Sequence, residues 1–224
     1  MNKRESLMVY SIFLSIDGEV NLYGQGGFAT FVRLAGCNLK CMWCDTPYAG
    51  DYKDGNEMFL DEIIDRIESF GCKKITITGG EPLFQPNALK YLCQELWHKG
   101  YKMTVETNGS LVPNGLYGVS SWVVDYKLPS SGMMKEMQPD ETFLNLTTSD
   151  YIKFVIATKK DYDQAKTTLI RWDNKRGVHA KIVFSPFLEK LDVKQLISWM
   201  KEDELFGIIL NLQLHKLVDF GENK

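Results

Sequence analysis

The sequence predicts an α/β fold in which a mainly parallel sheet forms an incomplete, modified (β/α) barrel. Runs of β-branched and aromatic residues alternate along the chain with segments whose apolar residues recur at helical spacing. Such alternation favours right-handed crossovers between parallel strands. Polar clusters follow several predicted strands, and the carboxyl ends of strands gather the functional groups in folds of this class. We expect residues 1–224 to form a single domain.

The predicted elements follow one another with short connections. Strands are predicted over residues 28–34, 74–78, 101–107, 121–127, 151–157, 179–184 and 207–212. Helices are predicted over residues 60–70, 87–99, 162–172 and 193–200. Asp161 and Asp192 stand where the last two helices are expected to be N-capped, with Gln164 and Gln195 as reciprocal partners. Residues 130–150 have the weakest pattern, which predicts a loop with a short helix.

Composition and charge exclude some classes of function. The formal net charge of −3 argues against an open basic surface for nucleic acid. Charged residues interrupt every apolar run before it reaches the length of a membrane span, and the amino terminus shows no export signal. A cytoplasmic protein without nucleic-acid or membrane partners is therefore expected.

Three of the five cysteines lie in one short loop, as Cys37, Cys41 and Cys44. This C-x3-C-x2-C spacing lets one loop wrap a small inorganic centre, yet three thiolates leave a four-coordinate metal or a cubane cluster one ligand short. A structural zinc site in a non-catalytic interaction module and three ordinary core thiols are the alternatives. The odd cysteine count favours metal ligation in a reducing compartment. Cys72 and Cys93 are expected to be buried structural thiols.

The cysteine loop, with Trp43 before its last thiol and Gly-Gly-Glu-Pro at residues 79–82, resembles the radical S-adenosylmethionine superfamily. That resemblance implies a [4Fe-4S] cluster with an open iron that binds S-adenosylmethionine and generates an adenosyl radical. Residues 13–19, 31–37 and 213–216 resemble the branch that converts 6-carboxy-5,6,7,8-tetrahydropterin to 7-carboxy-7-deazaguanine with loss of ammonia. The branch implies a homodimer and a flavodoxin-like electron donor. The alternative is a glycyl-radical activating enzyme of the anaerobic ribonucleotide reductase activase type.

The resemblance also implies roles at the cofactor end of the site. Thr46 matches a Mg2+ ligand, although threonine at such a position is also a common helix N-cap. Glu81 is expected to face the ammonium group of S-adenosylmethionine, whereas Gly-Gly-Glu alone would indicate a tight turn. The residues implied to line the S-adenosylmethionine site are Trp43, Cys44, Asp45, Gly79, Gly80, Glu81, Glu106, Asp125, Tyr126 and Lys127.

A second group of residues is implied to bind the substrate. Arg33 is expected to present its guanidinium to the substrate carboxylate, with an outward-facing strand arginine as the alternative. Asp17 stands where the branch more often has glutamine, and Asp17-Gly18 alone would indicate a turn. Asp125-Tyr126-Lys127 likewise replaces the usual Ser-Pro-Lys. The implied substrate-binding residues are Ile16, Asp17, Gly18, Glu19, Arg33, Thr78, Gln213 and His215.

Overall fold

A computed structural model describes residues 5–217, with the side chain of residue 215 excepted. Its strands are β1 Ser6–Ile16, β2 Phe28–Leu34, β3 Asn56–Phe59, β4 Lys74–Gly79, β5 Lys102–Thr107, β6 Val119–Asp125, β7 Tyr151–Ile156, β8 Lys181–Pro186 and β9 Ile209–Leu210. Its helices are α1 Leu60–Glu68, α2 Pro86–His98, α3 Asp140–Leu144, α4 Lys159–Asp173, α5 Val193–Glu202 and α6 Leu214–Leu217.

The described strands form one 9-stranded sheet in the order β3-β1-β2-β4-β5-β6-β7-β8-β9. Every pairing from β2 to β9 is parallel, and β1 pairs antiparallel with both β2 and β3. Since β3 and β9 lie at opposite edges, the sheet stays open. This arrangement confirms the predicted α/β fold with a mainly parallel, incomplete barrel.

The two faces of the sheet have different partners because successive strand residues point to opposite sides. On one face, buried residues such as Val124, Ile152 and Phe184 join the apolar sides of α1, α2, α4 and α5 in the main core. On the other face, their neighbours Tyr151 and Val183 belong to a separate small cluster. The helices therefore cover the outer face, and the inner face is left for a cavity. None of the helices within residues 5–217 is long and apolar enough to cross a membrane.

Most predicted elements are confirmed, and two differ. Helix α4 begins one turn earlier than expected, because Thr158 is its N-cap and Asp161 is the reciprocal partner of the capping box. Asp192 caps α5 as predicted, with its carboxylate accepting from the amide of Lys194, but the predicted reciprocal contact from Gln195 is not formed in the described structure. The last strand is reduced to Ile209–Leu210. The antiparallel strands β1 and β3 at the sheet edge were not among the predicted elements, and the 130–150 stretch contains the short helix α3.

Candidate active site

One cavity opens at the carboxyl ends of the parallel strands, where the sequence placed the polar clusters. It brings together the cysteine loop and most of the predicted cofactor and substrate residues. The predicted residues that line it are Ile16, Asp17, Gly18, Glu19, Arg33, Cys37, Cys41, Trp43, Cys44, Asp45, Thr46, Thr78, Gly79, Gly80, Glu106, Asp125, Lys127 and Gln213.

The cysteine loop is fixed by hydrogen bonds to the loops beside it. The amide of Cys37 donates to the carbonyl of Gly50 at 3.0 Å, and the amide of Met42 donates to the carbonyl of Ser131 at 3.0 Å. The indole Nε1 of Trp43 donates to Ser130 Oγ at 3.1 Å. The loop is therefore held at both its start and its middle by hydrogen bonds within the protein.

The three thiols of the cysteine loop suit an iron-sulfur cluster. All three face the cavity. A cubane spreads its thiolates over different irons, so it needs ligands that stand apart. Burial raises the pKa of the Cys37 and Cys41 thiols. Three thiols from one loop that line one cavity form a donor set that fits a [4Fe-4S] cluster.

Gly79 and Gly80 are required by the approach of two loops. A Cβ on Gly79, whose φ is +139°, would lie 2.1 Å from the carbonyl oxygen of Leu34, and one on Gly80 would lie 2.2 Å from that of Gly36. The amide of Gly80 donates to Leu34 at 2.9 Å, and the amide of Glu81 donates to Gly36 at 2.8 Å. The glycines therefore join the loop after β4 to the backbone that leads into the first cysteine.

Glu81 differs from the expectation, because its carboxylate does not line the cavity. The residue is 0% exposed and accepts hydrogen bonds from the amide of Leu83, the amide of Asn108 and Thr107 Oγ1 at 2.7–2.9 Å. Burial raises its pKa, and these hydrogen bonds oppose the rise. Glu81 is thus an internal support that ties the β4 and β5 loops together.

Asn108 extends this support to the cysteine loop. Its Nδ2 donates to Cys37 Sγ at 3.6 Å and to Asn38 Oδ1 at 3.1 Å. Asn108 was not singled out from the sequence, although its place in the Glu-Thr-Asn-Gly run after a predicted strand was the available signal. The chain from Glu81 through Asn108 to Cys37 orients the first thiol.

Tyr126 also differs from the expectation, whereas its neighbours agree with it. Its ring is buried against Phe143, Phe154 and Trp172, outside the cavity. Asp125 and Lys127 lie on the opposite side of the backbone and form an ion pair of 2.6 Å in the cavity wall. Alternation along the extended chain explains the split, since neighbouring side chains point to opposite faces.

Thr46 does not act as a helix cap. It precedes a short 3-10 turn, but its side chain makes no capping hydrogen bond there. The hydroxyl lies 3.4 Å from the carbonyl oxygen of Gly79 and 3.8 Å from Cys44 Sγ. The Thr46 hydroxyl therefore faces the cavity next to the last thiol.

Asp45 is held by a residue from the end of the described chain. Lys216 Nζ lies 3.4 Å from its carboxylate and over the ring of Phe187, which stacks on Trp43. Burial would raise the pKa of Asp45, but Lys216, Lys153 and Lys127 lower it on balance. Asp45 is therefore a stable anion at the mouth of the cavity.

Asp17 forms the floor at the other end of the cavity. Its backbone continues the β1–β2 pairing by bonding with Gly26 and Gly27, so Asp17-Gly18 is not a tight turn. Asp17 Oδ2 accepts from Asn21 Nδ2, Thr76 Oγ1 and Lys74 Nζ at 2.7–3.0 Å. Asp17 Oδ1 is buried and has no hydrogen-bond partner within the described chain. A buried carboxylate oxygen of this kind is suited to an N–H donor of a ligand.

Glu19 forms hydrogen bonds with residues that are far from it in the sequence. Its Oε1 accepts from Gln213 Nε2 at 2.7 Å, and its Oε2 accepts from Lys153 Nζ. Lys153 also lies 3.1 Å from Asp125 Oδ1. The sequence reasoning missed Lys153, for which the signal was a lysine in the middle of the apolar run Tyr-Ile-Lys-Phe-Val-Ile at 151–156.

Arg33 points into the cavity and is not an outward-facing strand arginine. Its guanidinium lies 5.2 Å from the centre of the Phe13 ring and 5.5 Å from that of Tyr48. Its NH1 donates to the Tyr48 hydroxyl at 2.5 Å, and Nε is buried without a partner in the described part of the chain. The aromatic rings hold a cation whose remaining donors suit an anion.

Thr78 and Glu106 face each other where the two ends of the cavity meet. Thr78 Oγ1 donates to Glu106 Oε2 at 2.8 Å. Burial raises the pKa of Glu106 to about 8, with further contributions from the charges of Glu19 and Asp17, while Lys153 opposes the rise. Glu106 is therefore mostly protonated at neutral pH. The side chain of His215, a predicted site residue, lies outside the described residues, and so do residues 218–224.

Comparison with known proteins agrees with this geometry. Residues 31–117 match the model of the Radical SAM superfamily. The 7-carboxy-7-deazaguanine synthase of Aquifex aeolicus is 38% identical over 98% of this chain and 97% of its own length. That of Clostridium acetobutylicum is 33% identical over 92% of this chain and 93% of its own. The crystal structure of QueE from Escherichia coli is 19% identical but shares the fold, with a TM-score of 0.71 over 93% of this chain and 94% of that chain.

The fold, the thiol-lined cavity and the superfamily match define a radical S-adenosylmethionine enzyme, which uses a [4Fe-4S] cluster and S-adenosylmethionine. Within that class, the chain belongs to the 7-carboxy-7-deazaguanine synthase family, because several relatives of that name are more than 30% identical over nearly its whole length. These relatives support a small-molecule reaction over the activation of a glycyl-radical partner.

Proposed function

We propose that this chain converts 6-carboxy-5,6,7,8-tetrahydropterin to 7-carboxy-7-deazaguanine with loss of ammonia, as a carbon-nitrogen lyase of 7-deazapurine (queuosine) biosynthesis. The observation that carries the proposal is one cavity lined at one end by three thiols and at the other by Arg33, Asp17 and Glu19. A flat substrate with a carboxylate and several ring N–H donors needs a cation and carboxylate acceptors in this arrangement.

The cofactor end is proposed to hold the radical source. When bound, the cluster and S-adenosylmethionine supply the adenosyl radical that begins the reaction. Cys37, Cys41 and Cys44 would ligate three irons. Trp43, Asp45, Gly79, Gly80, Asp125 and Lys127 would line the cofactor, and Glu106 in its protonated form can donate a hydrogen bond to an oxygen of a bound molecule. Glu81 supports this end from outside the cavity.

The substrate end is proposed to orient the pterin and exclude water. Arg33 would bind the carboxylate, and Asp17 Oδ1 would accept from a ring N–H. Glu19 and Gln213 are already hydrogen-bonded to each other, so they form a rigid wall for the ring. Ile16, Gly18 and Thr78 line the same end, and His215 is proposed as a further substrate contact from sequence resemblance. A fixed orientation limits the radical to one substrate hydrogen.

Thr46 is proposed to bind Mg2+ through its hydroxyl, together with water and the substrate carboxylate. The support is a hydroxyl that faces the cavity and caps no helix. Thr46→Ala should reduce the stimulation of turnover by Mg2+ about tenfold, whereas Thr46→Ser should restore it. Titration of Mg2+ into each anaerobic reaction measures this. Thr167→Ala, on the exposed side of α4, is the control, and an unchanged Mg2+ dependence in Thr46→Ala would contradict the assignment.

We also propose a single-domain enzyme that works as a cytoplasmic homodimer and accepts electrons from a flavodoxin-like donor. For the donor, the support is Met42, which is 81% exposed between two of the cluster thiols and gives a partner access to this loop. The net charge of −3 supports the absence of a nucleic-acid partner. Sedimentation of the reconstituted protein and turnover with reduced flavodoxin test these two properties.

The decisive experiment is a product assay. Anaerobically reconstituted protein is supplied with reductant, Mg2+, S-adenosylmethionine and the carboxytetrahydropterin, and the deazaguanine is measured by chromatography with mass detection. We expect more than one product per S-adenosylmethionine added, because the hydrogen returns and the cofactor is regenerated. A protein with an intact cluster spectrum that gives no deazaguanine would contradict the proposed function.

A further inference from the structure

Lys153 is a charged residue in the middle of a buried strand. It lies on β7 between apolar neighbours and is 7% exposed. Because its side chain points to the same face as Tyr151, it enters the cavity and not the helix-covered core. A buried lysine is costly unless it is paired, so its partners account for its presence.

The partners of Lys153 come from the two ends of the cavity. Its Nζ contacts Glu19 Oε2 on the substrate side and lies 3.1 Å from Asp125 Oδ1 on the cofactor side. Burial would lower the pKa of Lys153, but Asp125, Glu19 and Glu106 raise it well above its ordinary value. Lys153 therefore stays cationic and bridges both carboxylates.

The other partners of Glu19 and Asp125 do not connect these two carboxylates to each other as Lys153 does. Glu19 bonds onward to Gln213, and Asp125 pairs onward with Lys127. Asp125 is fixed opposite Lys153 by the β6–β7 register, whereas Glu19 follows β1 and approaches from outside the parallel strands. Without the ammonium of Lys153, two buried carboxylates would face each other without the cation that lies between them, and they would repel.

We propose that Lys153 is a positioning residue that holds the substrate-binding segment at Glu19 at a fixed distance from the cofactor-binding Asp125, and so couples radical formation to a correctly placed substrate. The inference rests on the proposed function for its substrate. It assigns no proton or electron transfer to Lys153.

The test compares Lys153→Met with Lys153→Arg and with the control Lys166→Met. Methionine keeps the length and loses the charge, and arginine keeps a cation that can bridge two carboxylates. Lys166 on α4 forms a more exposed ion pair with Asp203, away from the cavity. All three proteins are reconstituted with cluster, and circular dichroism and thermal unfolding establish that each is folded.

Three measurements follow on these proteins. Without reductant, so that no turnover occurs, the pterin should bind Lys153→Met about tenfold or more weakly in the presence of S-adenosylmethionine. During turnover, the 5'-deoxyadenosine released per deazaguanine should increase. In the absence of any substrate, amide hydrogen exchange over residues 17–21 should be faster. Lys153→Arg should recover most of each effect, and Lys166→Met should match wild type.

A double-mutant cycle shows through which residue Lys153 acts. If it acts through Glu19, Lys153→Met in a Glu19→Gln background should weaken pterin binding by much less than it does alone. Unchanged exchange at 17–21 together with additive effects would overturn the positioning role. Exchange needs no substrate, so this result is separate from failure of the proposed function, which would appear as a lack of product from wild type.

Discussion

The two ends of the cavity are built from different kinds of sequence. The cofactor end comes from consecutive residues 37–46 and from the turns that follow β4, β5 and β6. The substrate end comes from residues far apart, since Glu19 bonds to Lys153, 134 positions away, and to Gln213, 194 positions away. In the proposed function, a local motif thus supplies the radical chemistry, and long-range contacts select the molecule that is placed beside it.

The largest effect is expected from the loss of a thiol at the cofactor end of the cavity. Cys41→Ala should remove the cluster and reduce turnover to background, a loss of about a thousandfold or more, because the remaining thiols cannot hold three irons. The visible absorbance of the reconstituted protein and the product assay measure both. Cys72→Ala, which alters a half-buried thiol outside the cavity, should keep the cluster. Retained turnover in Cys41→Ala would disprove the ligand assignment.

The next largest effect is expected at Glu81, which supports the loops at the cofactor end of the cavity. Glu81→Ala should lower the free energy of unfolding by about 3 kcal/mol, because it leaves a void and deprives two buried amides and a hydroxyl of their acceptor. Denaturant titration of the cluster-free protein measures the change. Glu68→Ala, which removes an exposed ion pair with Lys99, should scarcely alter the midpoint. Equal midpoints for the two variants would show that Glu81 does not support these loops.

The comparison also explains what could be predicted from the sequence. The cysteine loop and the polar residues at strand ends could be located because each lies next to a periodic strand or a compact motif. Glu81 and Tyr126 were correctly placed along the chain, but their side chains point away from the cavity. The direction of each side chain depends on its contact with Asn108 or Trp172. Such contacts cannot be predicted from the residues next to Glu81 and Tyr126 in the sequence.

Lys153 shows the second limit of sequence reasoning. A lysine within an apolar strand signals a buried charge, but its partners Glu19 and Asp125 lie in other segments and only the folded sheet brings them together. The antiparallel strands β1 and β3 are a similar case. An alternating segment is visible at residues 6–16, yet its pairing partners depend on tertiary contacts.

A smaller effect is expected where an aromatic ring orients Arg33. Tyr48→Phe keeps the ring beside the guanidinium and removes the hydroxyl that accepts from NH1. We expect KM for the pterin to rise roughly two- to tenfold with little change in kcat, because one hydrogen bond that positions the cation is lost. Steady-state kinetics measure the split. Tyr91→Phe on α2 is the control, and a fall in kcat without a change in KM would contradict this role.

A pH-dependent effect tests how burial and the charges of Glu19 and Asp17 act on Glu106, where the two ends of the cavity meet. An unfolded glutamate ionises near its ordinary pKa, whereas the folded carboxyl keeps its proton up to about 8. The folded state therefore binds the additional proton between these values, and its contribution to stability is full at low pH and is lost as pH rises through 8. Glu106→Gln is neutral throughout, so its melting temperature relative to wild type should increase from pH 5 to pH 9.

Thermal unfolding of the cluster-free proteins across this range measures the difference, which should grow as the pH rises toward 9. The exposed Glu136→Gln variant should follow wild type at every pH, because that carboxylate is removed from the cavity charges. Parallel curves for Glu106→Gln and wild type would mean that Glu106 ionises at its ordinary pKa. Neither burial nor the negative charges of Glu19 and Asp17 would then shift the pKa of the group where the two ends of the cavity meet.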